Sequence, residues 1–261
     1  MSRIIRAELL RLGRRRTYIA MVGATLLFAV VTTLTVFSTA TSVGPPIGRG
    51  TTTEILESHG GGTEAFAVGA SFMGFLVFVT FIGLVATEFS GGTFRAMVLR
   101  DPNRRRVLAG KLTGALVLVA GAVALAEALT FLVSRVVAPG QGIATNEWLS
   151  LSGLGSGLRA YATVLAGITG WAIFGTTLAV VFRSAPLALG VGFAWAGPFE
   201  NIIVDSWSTG YRLFPGQVLA SVIQGGTLEL GLTRAIVTAL AYTGIAAAVA
   251  LTVVSRRDVT A

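Results

Sequence analysis

Cysteine is absent from the chain, and histidine occurs once, at His59. The first absence excludes disulfides, thiolate metal sites and cysteine nucleophiles. The second weakens any reading as an intramembrane protease. A serine type needs a base such as histidine, and His59 falls in a connection between apolar runs. An aspartyl type needs two aspartates within spans, whereas Asp101, Asp205 and Asp258 stand at or beyond the ends of the apolar runs. No His-rich metal motif occurs, so no metal site is expected. A nucleotide-binding phosphate loop is missing too, because Ala109-Gly110-Lys111-Leu112 lacks the upstream glycine and the hydroxyl residue. Gly153-Leu-Gly-Ser-Gly157 has the wrong glycine spacing for a dinucleotide fold and reads as a flexible loop. Charge itself is scarce. Only 12% of the 261 residues are charged, about half the usual share of a soluble domain.

Apolar sequence fills the space. Hydrophobic residues make up 53% of the chain, and the mean hydropathy is +0.77. Six stretches approach the roughly 20 residues a helix needs to cross a bilayer: 17–41, 65–87, 108–134, 158–181, 186–205 and 234–254. The expected fold is all-α, a polytopic membrane protein of six transmembrane helices in a single permease domain, 1–261. The fifth stretch is interrupted by Gly190, Gly192, Gly197 and Pro198. The run from Tyr18 to Phe37 is longer than a signal-peptide core and reads as a retained first span.

The net charge of +8 does not imply nucleic acid, because the basic residues cluster at the ends of apolar runs. Fifteen of the twenty Lys and Arg residues fall on one side, the other five being Arg49, Arg135, Arg159, Arg212 and Arg234. The positive-inside rule makes the richer side cytoplasmic, with both termini there, as expected of a multi-pass protein of a cell membrane. The outer connections, 42–64, 135–157 and 206–233, are rich in Gly, Ser and Thr. Trp148, Trp207 and Tyr211 fall where an outer aromatic belt would lie. Within 206–233, Leu213 to Ile223 is apolar but too short to span, and reads as a re-entrant helix or as a loop helix on the surface. Residues 1–16 read as a helix in the membrane interface, contacting lipid, with Ile4, Ile5, Leu9 and Leu12 on one side.

The segment 88–111 is polar and strongly basic between two spans. Gly91-Gly92 breaks the helix leaving span two. Phe94, Met97 and Val98 then share one helical face, with Arg95 and Arg100 elsewhere around it. Such a face suits a socket in a soluble partner, with the arginines pairing at its rim. Asp101 and Pro102 fit the cap and first residue of a new helix. A basic loop resting on anionic lipid is the alternative.

Glu-x-x-x-Gly-Thr-x-Arg, followed by a leucine, a proline, a basic cluster and Gly-Lys, resembles the permease subunits of bacterial ABC-2 type transporters. The residues are Glu88, Gly92, Thr93, Arg95, Leu99, Pro102, Arg104, Arg105, Arg106, Gly110 and Lys111. A basic N-terminal helix, six spans and an apolar stretch before the sixth agree with that family. The resemblance implies that 88–107 is a cytoplasmic coupling segment contacting a separate ABC ATPase subunit. ATP and Mg would bind that partner and not this chain. It also implies export, and a dimer with a second permease, a copy or a different chain. Glu88 and Arg95 would anchor the bend or the contact; Arg100 and Arg104 to Arg106 would face the ATPase or lipid. On residue chemistry alone, Glu88 is equally an exposed carboxylate paired with Arg95 or Lys111.

Two carboxylates fall inside spans, Glu127 and Glu200. Such groups are costly in a bilayer and usually mark a function. They either line an outer vestibule for a cationic or polar substrate or pair structurally with Arg135, Arg159 or Arg212. An ion-coupled secondary transporter and a non-catalytic anchor or sensor subunit remain the alternative functions.

Overall fold

The computed structural model describes residues 1–40 and 51–257, and every regular element among them is helical. Arg49, Asp258 and part of the 42–64 connection lie outside the described residues. Among the described residues, six helical stretches are long and apolar enough to cross a membrane: Arg15–Thr39, Gly61–Ser90, Arg104–Gln141, Leu151–Phe182, Ala185–Ser206 and Leu232–Arg256. They coincide with the six expected from hydropathy.

The chain opens with α1 (Ser2–Leu12), turns at Gly13 into α2 (Arg15–Thr39), and reaches the short α3 (Thr53–Glu57) and the long α4 (Gly61–Ser90). Gly92 then takes a left-handed φ of 70°, which a side chain would strain. That turn leads the chain into α5 (Thr93–Arg100). The next helix, α6 (Arg104–Val137), is capped by Asn103, whose side chain accepts the Arg106 N–H. Asp101 is therefore not the cap expected from sequence. It ends α5, and its carboxylate accepts the Asn103 N–H at 3.1 Å.

Two 3-10 turns lead to α7 (Leu151–Phe182), which starts earlier than expected and takes Gly153 to Gly157 into its first turns instead of leaving them as a loop. Its most apolar window is 61% buried, against 17–33% for the other five spans, so α7 is the central helix. The sixth stretch is preceded by a divided fifth: α8 (Ala185–Ala194), a π-turn at Trp195–Phe199 containing Pro198, and α9 (Glu200–Ser206). Proline has no N–H for the ladder, which accounts for the break. After α10 (Gly210–Leu213), α11 (Pro215–Ile223) buries Val218, Leu219, Val222 and Ile223 in the main apolar cluster, together with Ile168 of α7. It thus lies inside the bundle and not on its surface. α12 (Leu232–Arg256) completes the fold.

The outer surface is itself apolar. Leu27, Val31 and Leu34 of α2, and Val237, Leu240 and Ile245 of α12, are exposed. A water-soluble chain rarely shows apolar surface on this scale.

Candidate functional site

The basic residues gather where α1, the end of α4, α5 and the start of α6 meet. There Phe94 is buried, its ring centroid 4.5 Å from that of Phe89 at a tilt of 34°, and Met97 and Val98 pack into the same cluster with Val107, Val180 and Val254. The apolar face of α5 is accordingly used within the chain, and it does not project toward a partner's socket. The outward face carries Arg95, Leu99 and Arg100, with Leu99 80% exposed.

Glu88 pairs with Lys111, one of the two partners expected from sequence, but not with Arg95, and it is not exposed. It is buried, and its Oε1 meets Lys111 Nζ and an Arg11 guanidinium nitrogen, each at 2.7 Å. Glu8 completes the cluster, 2.8 Å from Lys111 and 2.7 Å from Arg11. Two acids and two bases thus join α1, α4 and α6, and Arg95 takes no part. Thr93 reinforces the turn by donating to the Glu88 carbonyl at 3.2 Å.

Glycines make the approach of α1 possible. A Cβ at Gly110 would lie 2.9 Å from Ile4, and one at Gly114 would lie 2.9 Å from Glu8 Cβ. The Gly110–Gly114 pair thereby forms a groove on α6 for α1. The three arginines of α6 are partly engaged as well. Arg104 donates to the Arg257 carbonyl at 2.7 Å, Arg105 to Ser255 at 3.3 Å, and Arg106 lies 4.0 Å from Asp101. Pro102 is exposed beside them.

The intramembrane carboxylates have different settings. Among the described residues neither Glu127 nor Glu200 forms an ion pair, so the structural pairing with Arg135, Arg159 or Arg212 is not made. Arg135 instead binds Thr145, and Arg212 the Glu229 carbonyl. Glu127 is half-buried, facing Gly157 of α7.

Glu200 is 1% exposed. Its Oε1 accepts from Trp195 Nε1 at 2.6 Å, a pairing that the π-turn sets up, and from the Gly216 N–H at 3.3 Å at the start of α11. Two cavities of about 350 and 270 Å³ flank it. Trp171, Ala196, Glu200 and Gly216 border both and form the partition.

At the other end of the bundle, Trp148 is buried, with its Nε1–H donating to the Leu56 carbonyl at 2.8 Å, and so is not part of an aromatic belt. Nearby, His59 contacts Ser150 and Glu147. Both contacts use the same ring atom, Nδ1, so this trio is not a serine–histidine–acid relay.

Sequence alone did not single out Glu8, Arg11 or the Trp195–Glu200 pair. One available signal was that Glu8 lies four residues from Ile4 and from Leu12, on the apolar side of α1.

The class defined by these features is a multi-pass membrane protein of six apolar helices. The chain belongs to the family described as "Protein of unknown function (DUF2705)", which it matches over residues 26–260. No curated protein matches it.

Proposed function

We propose that the chain is the permease subunit of an ATP-driven exporter of the ABC-2 type in a bacterial plasma membrane. In this reading the basic end is cytoplasmic, and the permease works as a dimer with a second permease subunit. A separate ATPase binds ATP and Mg. The observation that carries the proposal is the mounting of α5. This short helix is fixed to the bundle through Phe94, Met97 and Val98, next to the Glu8–Arg11–Glu88–Lys111 cluster that joins α1, α4 and α6, yet it turns Arg95, Leu99 and Arg100 outward. A rigidly held basic helix with one exposed leucine suits an acidic-rimmed site on a partner protein and can transmit a push to α4 and α6. A loop that merely rested on lipid would need no such internal anchoring.

The test is co-purification with the ATPase encoded beside the gene. Wild type should carry the ATPase through size exclusion. The combined Arg95→Glu, Leu99→Asp and Arg100→Glu variant should lose it while keeping its melting temperature. Retention of the ATPase by that variant, or no ATPase with wild type, overturns the reading. Proton-coupled transport is the second reading, favoured by Glu200, which is buried at two cavities without a cation partner among the described residues. It requires transport that follows a pH gradient and needs no ATPase.

A further inference from the structure

Glu200 and Trp171 stand together in the partition between the two cavities, each with an unused polar atom. Glu200 Oε2 and Trp171 Nε1 are both buried and make no hydrogen bond. One is an acceptor and the other a donor. Buried polar groups are nearly always partnered, and unpartnered ones commonly mark a functional site. The carboxylate also lacks a cation partner among the described residues, although it accepts from the Trp195 indole and from the Gly216 and Gln217 backbone N–H groups.

The two cavities differ in character. The larger is edged by Ser71, Asn201 and Gln217 besides its aromatic wall of Phe72, Phe75 and Phe193. The smaller is lined by apolar residues such as Phe78, Phe174, Leu178 and Val191. Gly216 is essential to the arrangement, because the Glu200 carboxylate occupies the space a side chain there would need.

We propose that the larger cavity is a binding site for an amphipathic primary ammonium. The ammonium head meets Glu200, and an aromatic or aliphatic body lies against the wall of Phe72, Phe75 and Phe193. The carboxylate supplies the opposite charge, which a buried anion requires. The rings add cation–π attraction for the head and apolar contact for the body. A hydroxyl or carbonyl oxygen next to the ammonium accepts from Trp171 Nε1–H. At about 350 Å³ the larger cavity suits a small amphiphile, since ligand cavities commonly span about 300–1,000 Å³. That this ammonium is cargo rests on the permease reading, whereas the binding itself does not.

Calorimetric titration of the purified full chain, without ATPase, tests the proposal. The protein is held in phosphatidylglycerol nanodiscs, and the probes are phenylethylamine, phenylethanolamine and neutral phenylethanol. Both amines should bind at least about ten-fold more tightly than phenylethanol, a factor worth 1.4 kcal/mol at 25 °C. Glu200→Gln, which keeps an oxygen for Trp195 and Gly216, should erase that preference. Trp171→Phe should weaken phenylethanolamine more than phenylethylamine. Gly197→Leu extends a side chain into the larger cavity where the nearest obstructing atom is 4.0 Å from its Cβ. It should block all probes at unchanged melting temperature, giving a readout independent of Glu200.

Repeating the titration in phosphatidylethanolamine nanodiscs separates two sources of the same chemistry. Loss of amine binding there identifies the lipid headgroup as the natural ammonium, and unchanged binding identifies a free amine. Equal affinity for amines and phenylethanol, or an unaffected Glu200→Gln variant, overturns the site. So does failure of every probe to bind, as when a second copy of the chain covers the cavity. If amines bind but no ATPase co-purifies, the site stands and the exporter reading falls.

Discussion

Replacing Lys111 with methionine removes one of the two cations from a cluster closed to water. Lys111 is 4% exposed by side chain, Glu8 and Glu88 are 5% each, and only Arg11, at 39%, reaches solvent. The wild-type cluster is neutral. Lys111→Met leaves two buried carboxylates sharing one half-exposed guanidinium, and thus one uncompensated buried negative charge. Breaking a buried pair from one side costs about 3–5 kcal/mol. For a chain of this size that corresponds to a melting-temperature loss of about 6–20 °C. Intrinsic fluorescence during heating of the nanodisc-held protein measures it. The charge argument adds a sharper requirement. Glu8→Gln combined with Lys111→Met restores neutrality and should recover at least half of the loss, although it removes more contacts in total. A single variant within about 1 kcal/mol of wild type, or a double variant worse than the single one, would refute the reasoning.

Gly114→Leu should lift α1 from α6, because even the Cβ would lie 2.9 Å from Glu8 Cβ and 3.3 Å from the Ile5 carbonyl. Tryptic cleavage after Arg14 to Arg16 should accelerate several-fold, and an unchanged rate would show that α1 does not depend on that groove. Trp148→Phe should cost about 1–3 kcal/mol by leaving the buried Leu56 carbonyl without its donor. Thermal unfolding reads this directly, and an unchanged melting temperature would contradict it.

The six spans were legible because a bilayer demands long apolar runs, and each run is local in sequence. Gly91-Gly92 was legible for the same reason, since a left-handed turn selects glycine at its own position. The misreadings have a common cause. Glu8 meets Lys111 across 103 positions of sequence, and no local pattern announces such a pairing. The Phe94 face looked available to a partner because α5 was read alone, whereas Val107 and Val254 supply its neighbours. Trp148 looked like a belt residue until the 3-10 turns around it folded onto α3. Glu200 was singled out by cost alone. Its contact with Trp195, five positions away, depends on the π-turn, and an uninterrupted α-helix would not make it.

The break at Trp195–Phe199 also bears on how the two ends of the molecule communicate. Ser71 and Glu88 lie on one continuous helix, α4, separated by about 25 Å at 1.5 Å per residue. Glycines bind α4 closely to α7. A Cβ at Gly74 would meet Trp171 at 2.6 Å, and one at Gly175 would meet the Phe78 carbonyl at 2.5 Å. These packed surfaces leave little room for sliding, so α4 and α7 move as one wall. The facing wall of the larger cavity is the interrupted element, whose ladder is already broken at Pro198 and whose Asn201 amide bonds the Gly197 carbonyl. On the proposed reading, a push at α5 reaches the cavity as displacement of the continuous wall against the interrupted one. The Trp195–Glu200–Gly216 contacts are the polar connections strained by that displacement. Glu200→Gln should therefore alter ligand binding while leaving ATPase capture intact, and the Arg95, Leu99 and Arg100 substitutions should do the reverse.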